Sequence, residues 1–156
     1  MTRILMVCLG NICRSPMAEG VMRAVADEAF GDGRVSVDSA GTAGWHIGKS
    51  PDVRGQRAAM NRGIDITGQR ARQLVPQDFY DFDHIFVMDS SNYKDALSLA
   101  PAGLDHKVEL FLSYAPEQGT EVPDPYYGGD DGFDHVLDMV EDAAKGFLQK
   151  LKNDQA

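Results

Sequence analysis

Apolar positions along this chain follow two rhythms. Arg3 to Val7 and His84 to Met88 are short, largely continuous apolar runs, the pattern of strands buried on both faces of a parallel sheet. Val35 to Asp38 alternates instead, and Lys107 to Leu112 offers a fourth strand. Helical segments lie between them. Ser15-Pro16 pairs a capping hydroxyl with an N1 proline and opens a helix running to about Phe30, where Gly31 stops it. Ser50-Pro51 repeats that start and Gly63 closes the segment, while a third helix follows Asp89-Ser90 and ends before Pro101. In the last helix Phe133, Val136, Leu137, Val140, Ala144, Phe147, Leu148 and Leu151 recur at spacings of three and four, a stripe that faces a core. No repeat, low-complexity tract or linker interrupts the alternation, which predicts an α/β fold of repeated βα units around a parallel sheet.

The 156 residues, 43% hydrophobic and 25% charged, suit one domain spanning 1–156. Fifteen Lys plus Arg against 24 Asp plus Glu leave a net charge of −9, which disfavours nonspecific contact with nucleic acid or an anionic membrane. An anionic substrate therefore needs a local positive site. Ile4 to Val7 is far too short for a signal-peptide core or a membrane span, so the expected location is the cytoplasm, without membrane insertion. Cys8 and Cys13 are too few for a disulfide scaffold or a four-ligand zinc site and suit a reducing compartment. His46, His84, His106 and His135 show no metal-ligand spacing, and neither a metal nor another cofactor is expected.

Chemistry concentrates in Val7-Cys8-Leu9-Gly10-Asn11-Ile12-Cys13-Arg14-Ser15-Pro16, where a buried strand hands over to a helix N-terminus. Unpaired backbone N–H groups and the positive end of the helix dipole make an anion cradle at such a junction. Gly10 and Asn11 tolerate left-handed backbone angles, which let successive N–H vectors converge on a tetrahedral oxyanion. The cradle, the dipole and Arg14 all favour Cys8 as thiolate, and Ser15 adds a hydroxyl donor to the sulfur. Arg14 can hold two phosphoryl oxygens with its planar fork. A Cys and an Arg six apart mean little alone. Requiring Gly10, Asn11, Ser15 and Pro16 as well lowers the odds of coincidence by roughly five orders of magnitude, which sets aside a structural cysteine beside a surface arginine.

A second segment, Pro123-Asp124-Pro125-Tyr126-Tyr127-Gly128-Gly129, stiffens one carboxyl group between two prolines. An Asp in that setting is commonly a turn former, and at a cleft rim it could instead protonate a departing oxygen.

Cys8 to Pro16 and Asp124-Pro125-Tyr126-Tyr127 resemble the two signatures of low-molecular-weight protein tyrosine phosphatases. Asp38-Ser39-Ala40-Gly41-Thr42, Trp45 to Asp52, Ala71-Arg72-Gln73 and Met88-Asp89-Ser90-Ser91-Asn92 fall in the family's order and spacing, so the resemblance covers nearly the whole chain. It implies a three-layer sandwich: a four-stranded parallel twisted sheet with helices on both faces, and a phosphate-binding loop of Leu9 to Ser15 after the first strand. It also implies metal-free hydrolysis of phosphotyrosine and small aryl phosphates, with Cys8 as nucleophile, Arg14 binding phosphate and steadying the transition state, and Asp124 as general acid and base.

The same resemblance assigns Asn11 and Ser39 to a network supporting the loop. Gln69 stands where the family has a histidine, and Ser39 reads equally as a strand-end turn residue. Trp45, Tyr126 and Tyr127 resemble the family's aromatic walls, which stack on a phenyl ring. Cys13 either traps oxidised Cys8 as a disulfide or simply packs. A phosphotyrosine protein is the expected partner. Some relatives are phosphorylated on the paired tyrosines, which adds a cognate tyrosine kinase, and the aromatic rim leaves weak self-association open. Three rivals remain. Arsenate reductases of this fold need two further cysteines that are absent after Cys13, and protein-arginine phosphatases typically carry threonine at the Ile12 position. A noncatalytic phosphopeptide-binding module would need neither Cys8 nor Asp124.

Overall fold

β1 (Thr2–Cys8), β2 (Val35–Gly41), β3 (His84–Val87) and β4 (Val108–Leu110) form one all-parallel sheet in the order β2-β1-β3-β4. The computed structural model describes residues 1–129 and 131–154, so the final two residues of the expected 1–156 domain lie outside the described residues. Alternation along β1 divides the interior into two cores. Ile4, Met6 and Cys8 pack with α1 (Arg14–Phe30), α2 (Val53–Met60) and α5 (Asp131–Asp154), whereas Leu5 and Val7 pack with α3 (Asp78–Asp81) and α4 (Ser90–Leu99). Helices thus cover both sheet faces, which is why β1 and β3 read as continuous apolar runs rather than alternating ones. The stripe on α5 is buried from Phe133 to Leu148 as its spacing requires, with Met139 and Ala143 joining it and Leu151 half-buried at its end. Among the described residues no helix is long and apolar enough to cross a membrane.

Element ends depart from the sequence pattern where side chains are committed elsewhere. α1 begins at Arg14 and is capped from Cys13 without a side-chain bond, because the Ser15 hydroxyl is used within the loop before it. Asp52 rather than Ser50 caps α2, accepting from Arg54 N. The fourth strand is shorter than Lys107 to Leu112, since Phe111 and Leu112 turn into a 3-10 helix that buries both side chains. α3, a single turn, has no periodic signal of its own.

Connections place the crevice. From β1 the chain goes first to β2 on one side and later to β3 on the other, so helices diverge at the carboxyl end of β1. A parallel sheet binds its ligands at such a switch point. The segment after the 3-10 turns returns to the same end, where Val122 N donates to Met88 O at 2.8 Å.

Candidate active site

Cys8 ends β1 and is buried, paired in register with Gly41. The loop that follows turns its carbonyls outward into fixed partners. Thr42 N donates to Cys8 O and Ala43 N to Leu9 O, each at 2.9 Å, and Asp52 N donates to Ile12 O at 2.8 Å. Among the described residues no acceptor is bonded to the backbone N–H groups of residues 9 to 13, which leaves a run of amides as donors at the start of α1. Asn11 supplies the left-handed turn at φ 58°, the only non-glycine at positive φ among the described residues. Gly10 does not share that geometry, contrary to expectation. It is small because a Cβ there would lie 2.9 Å from His46 Cδ2.

A directional chain of hydrogen bonds runs from this loop into α1. Asn11 Nδ2 donates to Ser15 Oγ at 2.8 Å and to Ser39 Oγ at 3.0 Å, and Ser39 Oγ donates to Glu19 Oε1 at 2.7 Å. With its oxygen accepting from Asn11, the Ser15 hydroxyl can direct its proton at Cys8 Sγ, 3.1 Å away. Arg72 N closes the far side by donating to Asn11 Oδ1 at 3.0 Å. Burial lifts the Glu19 carboxyl above its ordinary range against the pull of Ser39 and Arg23. Ser39 is therefore part of the network as well as of β2. Gln69 is not bonded to Asn11 or Ser39: its Nε2 donates to Pro16 O at 3.1 Å in the first turn of α1, and its buried Oε1 has no protein partner.

Arg14 is buried, with Nη1 donating to Asp89 Oδ2 at 2.6 Å and to Val122 O at 3.0 Å. Nη2 lies 3.8 Å from Asp124 Oδ2. Burial works against its charge, but a Cys8 thiolate, Asp89 and Asp124 outweigh that and hold the guanidinium above its usual value. Asp124 does what its prolines predict and more. Oδ1 accepts from Tyr126 N at 3.0 Å in a local turn, while Oδ2 faces Arg14.

These groups bound a cleft of about 250 Å³ whose mouth carries Trp45, Tyr126 and Tyr127. The two tyrosine rings meet edge to face at 4.9 Å, and Trp45 and Tyr127 are 70% and 90% exposed, so all three stand as rim rather than core. Cys13 is buried at the α1 N-terminus. Burial foremost, then the charges of Asp52, Cys8 and Asp124, push its thiol far up, so it is held protonated. Among the described residues no group of three His, Cys, Asp or Glu side chains is arranged to hold a metal ion.

Sequence reasoning missed several neighbours. Asp89 and His46 sit in segments noted for other reasons, and the position of Asp89 just after a strand adjoining β1 was the available signal. Glu19 lies one helical turn beyond Ser15, but nothing in its spacing shows that it reaches Ser39.

A family model described as low molecular weight phosphotyrosine protein phosphatase matches residues 3–156. The low molecular weight phosphotyrosine protein phosphatase of Schizosaccharomyces pombe is 44% identical over 151 residues, 96% of each chain. A solved protein tyrosine phosphatase from Entamoeba histolytica, with Hepes in its active site, aligns over all of both chains with TM-score 0.94 and 39% identity. A Drosophila arginine phosphatase aligns with TM-score 0.87 and 36% identity over 97% of this chain and 98% of its own. The chain belongs to the low molecular weight phosphotyrosine protein phosphatase family and is a phosphoric monoester hydrolase.

Proposed function

We propose that catalysis runs through a cysteinyl-phosphate on Cys8, with Asp124 moving the protons. The Cys8 thiolate attacks phosphorus and forms the S–P bond as the bond from phosphorus to the aryl oxygen breaks, and the Asp124 carboxyl gives its proton to that oxygen. In the second half the Asp124 carboxylate takes a proton from water, whose oxygen attacks phosphorus. The S–P bond breaks, the thiolate returns and inorganic phosphate leaves. The convergence of Cys8, Arg14 and Asp124 on one cleft carries this reading. With Nη1 committed to Asp89 and Val122, the Nε and Nη2 edge of Arg14 remains to grip two phosphoryl oxygens, and the amides of residues 9 to 13 supply further donors for the transition-state charge.

Trp45, Tyr126 and Tyr127 suit an aryl ring, so the substrates in this reading are phosphotyrosine proteins, acted on by a phosphatase domain that takes in residues 1–156 in the cytoplasm. Hydrolysis of an aryl phosphate with chelator present, compared with Cys8→Ser and Asp124→Ala, tests the assignment. Metal-dependent turnover, or full activity in Cys8→Ser, would overturn it.

The Drosophila neighbour keeps phosphoarginine in view as a second substrate. Ile12, apolar where arginine phosphatases typically carry threonine, favours phosphotyrosine, and a higher kcat/KM for phosphoarginine would reverse that preference. Cys13, in the same loop as Cys8, is the resolving thiol of an oxidised Cys8 in this reading, and it must ionise against the burial that holds it protonated. If Cys13→Ser regained activity after peroxide and thiol treatment as fully as the parent, that role would fall.

A further inference from the structure

Arg54, the second residue of α2, joins three segments that the reaction brings into play. Its Nη2 donates to Tyr126 O at 2.9 Å and its Nη1 to Gly128 O at 3.1 Å, both in the stretch just after Asp124. The same guanidinium lies 4.8 Å from the Phe133 ring centroid and 5.7 Å from that of Tyr126. Its inner edge is held by Asp52, with Nε donating to Oδ1 at 3.1 Å and Nη2 to Oδ2 at 3.0 Å. Asp52 in turn donates its backbone N–H to Ile12 O in the phosphate loop. Asp124 and Ile12 are far apart in the chain, and this bridge is a direct mechanical link between the segments that carry them. Tyr126 is gripped twice, at its carbonyl by Arg54 and at its N–H by Asp124 Oδ1.

We infer that Arg54 is a positioning residue that sets the Asp124 carboxyl over the phosphate loop. The inference rests on the proton-transfer role proposed for Asp124. Arg54 uses Nε, Nη1 and Nη2 to span two carbonyls and both oxygens of a carboxylate, a width and fixed geometry that the point charge of lysine matches only in part. The Asp52 carboxyl, held below its usual range by the Arg54 hydrogen bonds, keeps its charge and the bridge intact at neutral pH. Without Arg54 the Asp124 segment loses two carbonyl anchors and its link through the guanidinium to the Phe133 ring. Arg14 keeps its own partners, Asp89 and Val122.

The test is kcat/KM across aryl phosphates from p-nitrophenyl to phenyl phosphate, for Arg54→Gln and Arg54→Lys, each alone and combined with Asp124→Ala. Misplacing a proton donor should matter most where the leaving oxygen needs the proton most, so Arg54→Gln is expected to lose about tenfold on phenyl phosphate and under about threefold on p-nitrophenyl phosphate. Neither substitution should cost anything further once Asp124 is alanine, and the inhibition constant of inorganic phosphate should shift less than about twofold, because the Asp52 N–H bond to Ile12 O is made by backbone and does not use the Arg54 side chain. Arg54→Lys should show the same trend more weakly, and it carries the test if the glutamine variant does not fold. An even loss across the series, or losses that add fully to Asp124→Ala, would overturn the inference while Asp124→Ala alone still shows a steep dependence. An even loss in Asp124→Ala itself would sink the acid reading and this inference with it.

Discussion

Asp89 holds Arg14 from behind: its Oδ2 accepts from Arg14 Nη1 at 2.6 Å while its Oδ1 accepts from Asn92 N at 2.8 Å. One carboxylate therefore caps α4 and fixes the guanidinium, so the sheet end after β3 orients a side chain that belongs to the loop after β1. Replacing Asp89 by Asn keeps the shape and the cap, but the single amide oxygen cannot accept from both Asn92 N and Arg14 Nη1, so the NH2 group faces the guanidinium and the charge-assisted bond to a buried cation is lost. Steady-state kinetics should show an increase of about tenfold in KM with a smaller change in kcat, and urea unfolding a loss of about 1–3 kcal/mol. An unchanged KM would mean that Val122 O alone suffices to aim Arg14.

Asn11 combines a left-handed backbone with three side-chain bonds, and two substitutions separate these contributions. Asn11→Gly keeps the turn and loses the network. Asn11→Ala loses the network and adds strain at positive φ of about 1 kcal/mol or more. Both should lower kcat/KM, since Ser15 and Ser39 lose their donor, and the alanine variant should also unfold at lower urea. Equal stability of the two would show that the backbone angle carries no strain.

Two glycines near the loop differ in what a methyl group would strike. At Gly41 a Cβ would lie 2.8 Å from Leu9 O and 3.1 Å from Gly10 C, which are backbone atoms of the loop itself. At Gly10 the obstacle is the His46 ring. Gly41→Ala should therefore cost about 1–3 kcal/mol and disrupt phosphate binding, while Gly10→Ala should be milder and be restored by adding His46→Ala. Failure of that second substitution to restore kcat/KM would place the cause elsewhere than His46.

What the chain revealed of this architecture followed from where its interactions are local. β1, β3 and the α5 stripe were legible because burial on two faces, or on one helical stripe, writes itself into the residue pattern. Cys8, Arg14 and Ser15 share one loop with Gly10, Asn11 and Pro16, so the spacing of the whole set was informative. The start of α1 was misread because Ser15 looked like a cap while its hydroxyl serves Cys8 and Asn11, and tertiary demand outranks capping preference. Phe111 and Leu112 left β4 for a 3-10 turn for a similar reason, both side chains being needed in the core. Glu19 and Arg54 were not legible as neighbours of the site, because the reach of Glu19 to Ser39 and of Arg54 to Tyr126 and Gly128 is set by the tertiary fold and not by distance along the chain, and Asp89 offered only its place just after a strand.

Glu19 gives the network a pH dependence whose sign is fixed. Burial raises its carboxyl pKa in the folded chain, so its contribution to stability is fully present below the ordinary carboxylate range and is lost as pH rises through the lifted value. Against Glu19→Gln, which stays neutral throughout, the parent should lose relative stability over that interval. Urea midpoints of both proteins across a pH series measure it. A parent that gained on the glutamine variant with rising pH would show that Arg23 and Ser39 outweigh the cost of burying the charge.

Rapid quenching of turnover in Asp124→Ala, followed by fragmentation mass spectrometry, addresses the covalent step most directly. With p-nitrophenyl phosphate, whose leaving oxygen needs the Asp124 proton least, slowing water activation should let the intermediate accumulate, and the account predicts one phosphoryl group, located on Cys8 and absent from Cys8→Ser. A phosphoryl group on any other residue, or turnover by the Cys8→Ser protein with no phosphoenzyme at all, would contradict it.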